Sequence, residues 1–283
     1  MPKPPAVLYV VATPIGNLDD LSARAREILS GVDLIAAEDT RHSARLLKAW
    51  SIRAPLTAFH EHNAARRAPE LVRRLTAGES MALISDAGTP LVSDPGYRLV
   101  RAAQEAGIAV RAVPGPSAAI AALSVAGLPS DRFAFEGFLP ARATARRKRL
   151  DALATDPRTL IFYEAPHRLA AMLADCVATF GAEREAALAR ELTKLHETVR
   201  RASLDELARI VESGEEPARG ECVVLVAGAA KTPSEYDADA LLEALAAEGV
   251  SPKTSAAVAR RLSGLPRREL YQRAIEIQKR REE

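Results

Sequence analysis

The chain has 283 residues, enough for about two domains with buried cores, which excludes a small scaffold held together by disulfides. Hydrophobic residues at 48% and charged residues at 27% exclude intrinsic disorder and fibrous repeats. Net charge is only +2, but arginine outnumbers lysine by 32 to 7 and the cations cluster: five between Arg142 and Arg149 with no acid, and nine from Ser251 to Arg281 against two glutamates. Such patches suit a polyanionic partner and equally suit solvated helix faces. No apolar run reaches the ~18–20 residues of a membrane span, and the proline-punctuated start is too short for a signal peptide, so a cytoplasmic location without membrane contact is expected. Cys176 and Cys222 lie in apolar surroundings without CxxC spacing and read as reduced, buried thiols.

In chain order, short β-branched runs alternate with longer segments of helical period, the pattern of parallel strands joined by crossover helices. Strands are expected at residues 7–12, 34–37, 81–85 and 110–113, with helices over 21–29, 64–76 and 97–106, each ending near a glycine. A small-residue helix over 118–126 follows the turn VPGPS. The second half carries strands at 133–136, 159–163, 186–189, 198–202 and 222–226 and helices at 146–153, 169–180 and 204–211. Its last strands are close in sequence, so some antiparallel pairing is expected there. GAAKTPSEYDAD reads as a linker, and the remainder as helical, with Ser251-Pro252 as a helix start. The expected organisation is therefore α/β, with domains at 1–115 and 116–229 and a basic helical extension at 230–283.

In open α/β sheets ligands bind at the C-terminal ends of strands, and four such loops are unusual here. They are TPIGNL after the first strand, EDTR after the second, SDAGTPLVSDPG after the third and PGPSA after the fourth. Glycine and proline let backbone approach a ligand at fixed geometry, and a following helix N-terminus supplies N–H donors. None matches GxGxxG or GxxxxGK[ST], so the dinucleotide and P-loop fingerprints are missing. His60, His62, His167 and His196 show no HExxH or other helical ligand spacing, and HEH at 60–62 is taken as strand, so no metal site is expected.

The ordered set TPIGNLDD, AEDTR, SDAGTPLVSDPG, VPGPSA, FYEAPHR, ARELTKLHE and RGECVVLV resembles the bacterial small-subunit ribosomal RNA methyltransferases that methylate a cytidine 2′-hydroxyl, a branch of the tetrapyrrole methylase-like enzymes. The resemblance runs from about residue 6 to 228, and the basic tail looks like that branch's C-terminal extension. It implies two α/β domains of the tetrapyrrole methylase type, S-adenosylmethionine in the cleft between them, and a homodimer. Carried over by motif, it implies cofactor contacts from Pro14, from Ser85, Asp86, Ala87 and Gly88, and from Pro114, Gly115, Ser117 and Ala118. Tyr163 and Glu164 fall at a further such position, and Arg190, Glu191 and Leu192 close the cleft.

A 2′-hydroxyl attacks a methyl group only when aligned with it and relieved of its proton. Glu38, Asp39, Glu164 and Lys194 are the weak candidates for that chemistry, with His167, His196 and Glu197 also near the motifs. Each has a structural alternative: Glu38 and Asp39 as N-caps of a following helix, Asp86 as a turn residue bonding its own backbone, and Glu164 with Lys194 as a buried ion pair across the cleft. Arg41, Arg45, Arg142, Arg146, Arg147 and Arg149, with Arg260, Arg261, Arg267 and Arg268 in the tail, suit phosphates of small-subunit ribosomal RNA. The tail resembles a helix-turn-helix half and equally a packing or dimerisation pair. With aromatics at 4%, stacking of bases across a broad sheet is not expected. A tetrapyrrole methylase and a non-catalytic RNA-binding assembly factor are the competing readings.

Overall fold

The computed structural model describes residues 6–215, 217, 219–229 and 238–282. The chain divides into two compact units, Met1–Gly228 and Ala229–Glu283.

The larger unit contains two five-stranded sheets. The first is built from β1 (Val7–Val11), β2 (Leu34–Ala37), β3 (Leu56–Ala58), β4 (Met81–Ile84) and β5 (Ala109–Val113), in the order β3-β2-β4-β1-β5 and parallel throughout. Its crossovers are α1 (Ala23–Gly31), α2 (Thr40–Ala49), α3 (Glu61–Thr76) and α4 (Tyr97–Glu105). Strands β2 and β4 are buried along their whole length, which is why they read as unbroken apolar runs. Leu21, Leu29 and Leu47 pack one face, and Phe59, Leu71 and Leu99 the other.

Two elements of this sheet are missing from the expected strands and helices, although Asp39 taken as a cap implies the first of them. Helix α2 is TRHSARLLKA, whose polar stretch hides a short apolar stripe centred on Leu46 and Leu47, and β3 is three half-buried residues at the sheet edge. The HEH segment is not a strand. His60 caps α3, its N–H donating to the Asn63 side chain at 3.0 Å, so His62 falls in the first helical turn.

The second sheet follows α5 (Ala118–Val125) and contains β6 (Phe133–Phe138), β7 (Thr159–Glu164), β8 (Glu185–Arg190), β9 (Thr198–Ser203) and β10 (Cys222–Val226). Its order is β6-β7-β10-β8-β9; only β6 and β7 run parallel, so the expected antiparallel pairing is present and extends to β7–β10. Helices α6 (Ala143–Asp151), α7 (Pro166–Phe180) and α8 (Leu204–Glu212) enclose a core containing Phe162, Met172 and Val224. Both cysteines are buried and free, and burial pushes the Cys176 thiol up to about 12.

The basic run of α6 is not uniformly a surface feature. Arg146 is 6% exposed, with Nη2 2.6 Å and Nε 2.7 Å from Asp175 Oδ2 on α7. Arg147 takes the other carboxylate oxygen at 2.7 Å from the solvent side. Arg146 therefore ties α6 to α7 and is unavailable for the RNA contact expected of it.

The smaller unit comprises α9 (Ala238–Ala247), α10 (Pro252–Ser263) and α11 (Arg267–Glu282) around Leu242, Ala256, Leu270 and Ile277. Ser251 caps α10 by accepting the Thr254 N–H at 3.3 Å, as Ser251-Pro252 predicts. The linker reading falls largely on 230–237, outside the described residues.

Removing one partner of a buried ion pair strands the other's charge. Asp175→Ala should lower unfolding free energy by about 3–5 kcal/mol, seen in urea as a lower midpoint at unchanged slope.

Candidate active site

The loops leaving β1, β4 and β5 are stitched to one another at the C-terminal edge of the first sheet. Thr13 is fully buried, and its N–H and C=O pair with Gly88 at 2.9 and 3.1 Å. Its hydroxyl donates to Ser85 O at 3.2 Å, while the Thr89 hydroxyl donates to Pro116 O at 2.9 Å. Gly88 adopts φ +82°, and a Cβ there would meet Ile15 Cγ2 at 3.3 Å, so this crossing needs glycine. Leu91, Ser93, Glu191 and Thr193 hold positive φ around the same edge. Such backbone costs about 1–3 kcal/mol each and is retained where it shapes a site.

Between these loops and the second sheet lies a cavity of about 470 Å³, within the usual range for small-molecule sites. Asp86, Ala87, Gly88, Ser117 and Ala118 line it from the first side, and Phe138, Tyr163, Glu164 and residues 220–223 from the second. The Tyr163 hydroxyl accepts the Ala119 N–H at 3.0 Å, and the Phe135 and Phe138 rings pack edge-on against it. Helix α5 thus starts at the cavity without a side-chain cap, its first turn bonded to the second sheet.

The cavity wall is acidic. Burial, then the carboxylates of Asp94 and Asp86, push Glu38 up to about 7. Burial also raises Asp94 to about 6, opposed by a hydrogen bond from the Ser85 hydroxyl. Asp86 Oδ1 accepts the Asp39 N–H at 3.0 Å, which locks the second loop to the third. Glu164 is fully buried: Oε1 accepts the Ala165 N–H at 2.8 Å and lies 3.0 Å from Arg168 Nε, while Oε2 has no partner. A buried carboxylate oxygen without a partner, in a cavity also lined by Glu38, Asp86, Asp94 and Glu221, fits a ligand with cationic and N–H groups. Among the described residues no group of three or more His, Cys, Asp or Glu is arranged to hold a metal ion.

Of the residues expected at the cofactor, Asp86, Ala87, Gly88, Ser117, Ala118, Tyr163 and Glu164 line the cavity. Ser85 is buried behind it, bonding its own loop and Asp94. Pro14, Pro114, Gly115, Arg190, Glu191 and Leu192 lie outside the lining; Leu192 is core, and the Arg190 guanidinium donates to Arg219 O at 3.4 Å. Lys194 does not pair with Glu164. Its Nζ sits 2.7 Å from Glu191 and 3.1 Å from Glu221, and its stem crosses Gly16, where a Cβ would come within 2.5 Å of Cγ. Asp39 also leaves the candidate set: it caps α2, accepting the Arg41 and His42 N–H groups, and Arg41 holds it below the usual carboxylate range. The residues that sequence reasoning missed are chiefly Asp94 and Glu221. Asp94 sits in SDPG, a turn signal equal to that of SDAG, so the doubled motif held the clue.

Arg41, Arg45, Arg142, Arg147 and Arg149 are exposed, as are Arg260, Arg261, Arg267 and Arg268. Arg41 pairs with Asp39 and Arg149 with Glu136. Arg260, Arg261 and Arg267 line one hollow of about 390 Å³ in the tail.

Residues 7–208 match the family model described as Tetrapyrrole (Corrin/Porphyrin) Methylases, and residues 232–278 match that of the RsmI C-terminal HTH domain. The chain is 56% identical to ribosomal RNA small subunit methyltransferase I of Pseudomonas aeruginosa, over 96% of this chain and 97% of that one. It is 54% identical to the protein of that name from Xylella fastidiosa, over 94% and 98%. In fold it is similar to uroporphyrin-III C-methyl transferase from Thermus thermophilus complexed with S-adenyl homocysteine, with TM-score 0.55 and 18% identity over 78% of this chain and 97% of that one. With a parallel sheet, a mixed sheet and a helical C-terminal module in one chain, it belongs to the tetrapyrrole methylase family, in the branch of the ribosomal RNA small subunit methyltransferase I proteins.

Proposed function

We propose that the chain transfers a methyl group from S-adenosylmethionine to a cytidine 2′-hydroxyl of small-subunit ribosomal RNA. The observation that carries this reading is the acidic cavity between the two sheets, in a chain similar over nearly its whole length to proteins called ribosomal RNA small subunit methyltransferase I. S-adenosylmethionine, when bound, supplies an electrophilic methyl group on a sulfonium. The backbone of Asp86, Ala87 and Gly88, the start of α5 and Tyr163 shape the pocket, and Glu164 Oε2 accepts an N–H donor from the ligand. Asp86 and Asp94 supply the negative field that a cationic ligand needs.

Glu38 is the carboxylate that activates the acceptor. It is half-buried, lines the cavity and titrates near neutrality, where a general base works best. It receives the 2′-hydroxyl proton as the oxygen attacks, while the surrounding loops hold acceptor and methyl donor in line. The exposed arginines on α6 and in the tail grip phosphate. The family reading also makes the protein a cytoplasmic homodimer, and Ile120 and Val125, each about half exposed on α5, offer apolar surface to a second copy.

Labelled methyl groups should pass to small ribosomal subunits and not to a porphyrinoid acceptor; the reverse result would make the chain a tetrapyrrole methylase, and cofactor binding without transfer an assembly factor. Gly88→Val should weaken S-adenosylhomocysteine binding by more than about tenfold in calorimetry with unchanged circular dichroism, and unchanged affinity would remove the loop from the site.

Glu38→Gln should lower the transfer rate by about 10²–10⁴-fold and abolish the limb of kcat/KM that rises with pH toward about 7. The same variant should be the more stable protein at pH 8. A carboxyl whose folded pKa is raised stabilises the fold while protonated and loses that contribution as pH rises from its unfolded value to about 7, so the melting difference should open across that window. Replacing Arg260, Arg261 and Arg267 with alanine should reduce the salt dependence of subunit binding by about 0.7–0.9 for each phosphate no longer neutralised, at unchanged cofactor affinity.

A further inference from the structure

A second hollow of about 510 Å³ lies between α3 and α4, and Asp94 belongs to its lining as well as to that of the central cavity. Ala64, Ala68 and Ala102 are among its lining residues, so small side chains keep it open. Tyr97, Arg98 and Arg101 line it from α4. Tyr97 is 64% exposed, the most exposed of the Phe, Tyr and Trp rings among the described residues, in a chain with 4% aromatics. Its one hydrogen bond is a long one, 3.4 Å from Arg101. Core packing therefore does not explain it. Arg98 lies 3.9 Å from Glu61, and Arg101 lies 2.8 Å from Glu105, with all four side chains more than half exposed. Exposed pairs of this kind are worth little in water, so a phosphate readily takes over the guanidinium.

Resting on the methyltransferase reading above, we infer that this hollow binds the nucleotide adjoining the methylated one, its base stacked on Tyr97 and its phosphate held by Arg98 and Arg101. Asp94, whose carboxylate acts on Glu38, also forms part of the hollow's own wall, so a strand that delivers a ribose to Glu38 and runs on past Asp94 enters the hollow. What lies there is a flat ring beside two cations, the combination that takes up an unpaired nucleotide of any sequence. Acceptor site and flanking site are thus two parts of one path along the RNA. This is stacking on a single ring at a groove, distinct from a platform spread across a sheet.

The test is methyl transfer to unmethylated small subunits by full-length Tyr97 variants, with S-adenosylhomocysteine affinity measured alongside. Tyr97→Ala should lower kcat/KM for subunits by roughly 5- to 100-fold, the range carried by one base–aromatic stack, while cofactor affinity stays within about twofold. Tyr97→Phe and Tyr97→Trp should keep most of the activity, and Tyr97→Leu should behave as alanine does. Arg98→Ala with Arg101→Ala should reduce the salt slope of subunit binding. Wild-type kinetics in Tyr97→Ala, or equal activity in Tyr97→Leu and Tyr97→Phe, would overturn the inference and leave the proposed function intact. No transfer by the unmodified chain would instead overturn the methyltransferase reading, and the flanking site with it.

Discussion

The backbone pairing of Thr13 with Gly88 is the constraint on which the site depends. It joins the end of β1 to the loop after β4 where a parallel sheet would otherwise let its loops splay, and it buries a threonine whose hydroxyl holds Ser85 O. Everything downstream is positioned from this crossing. The Ser85 hydroxyl reaches Asp94, Asp86 fixes the start of α2 through the Asp39 N–H, and Thr89 anchors the loop that begins α5. The second sheet is tied to the same edge by the Tyr163 hydroxyl on the first turn of α5 and by the Lys194 stem over Gly16.

The acids at this edge divide into two kinds for a physical reason. Asp39 keeps 38% of its side chain exposed, caps a helix and sits beside Arg41, so its charge is held easily. Glu38, one residue earlier, points into the half-buried space shared with Asp86 and Asp94, where burial and like charges make ionisation costly. Adjacent residues on one strand end therefore separate into a structural carboxylate and a chemically responsive one. A cationic ligand in the cavity would relieve the crowding, and under the proposed reading this would couple ligand binding to acceptor activation through the same field. Arg146 shows the opposite outcome: its charge is buried and fully committed to Asp175.

Nine of the ten strands among the described residues were legible, most of them because buried β runs are apolar and bounded by turn residues, and the loops because glycine and proline cluster where backbone must cross closely. What was not legible had weak local signals. Helix α2 presents a short apolar stripe in a polar segment, and β3 is an edge strand of three residues stabilised by its neighbour rather than by its own pattern. HEH reads as strand until the bond from the His60 N–H to the Asn63 side chain is known. The partners of charged groups are largely set by tertiary geometry, and so Lys194 with Glu221 and Asp94 with Ser85 could not be read from spacing. The choice between Glu38 and Asp39 likewise required the orientation of a strand end against the loops beside it.

The most direct measurement is transfer of labelled methyl from S-adenosylmethionine to small ribosomal subunits lacking the modification, followed by nucleoside digestion and mass analysis. The proposed reading, in which a ribose oxygen is activated beside Glu38, predicts a ribose-methylated cytidine. Label on a base, or no label in RNA from a chain that still binds S-adenosylhomocysteine, would contradict it.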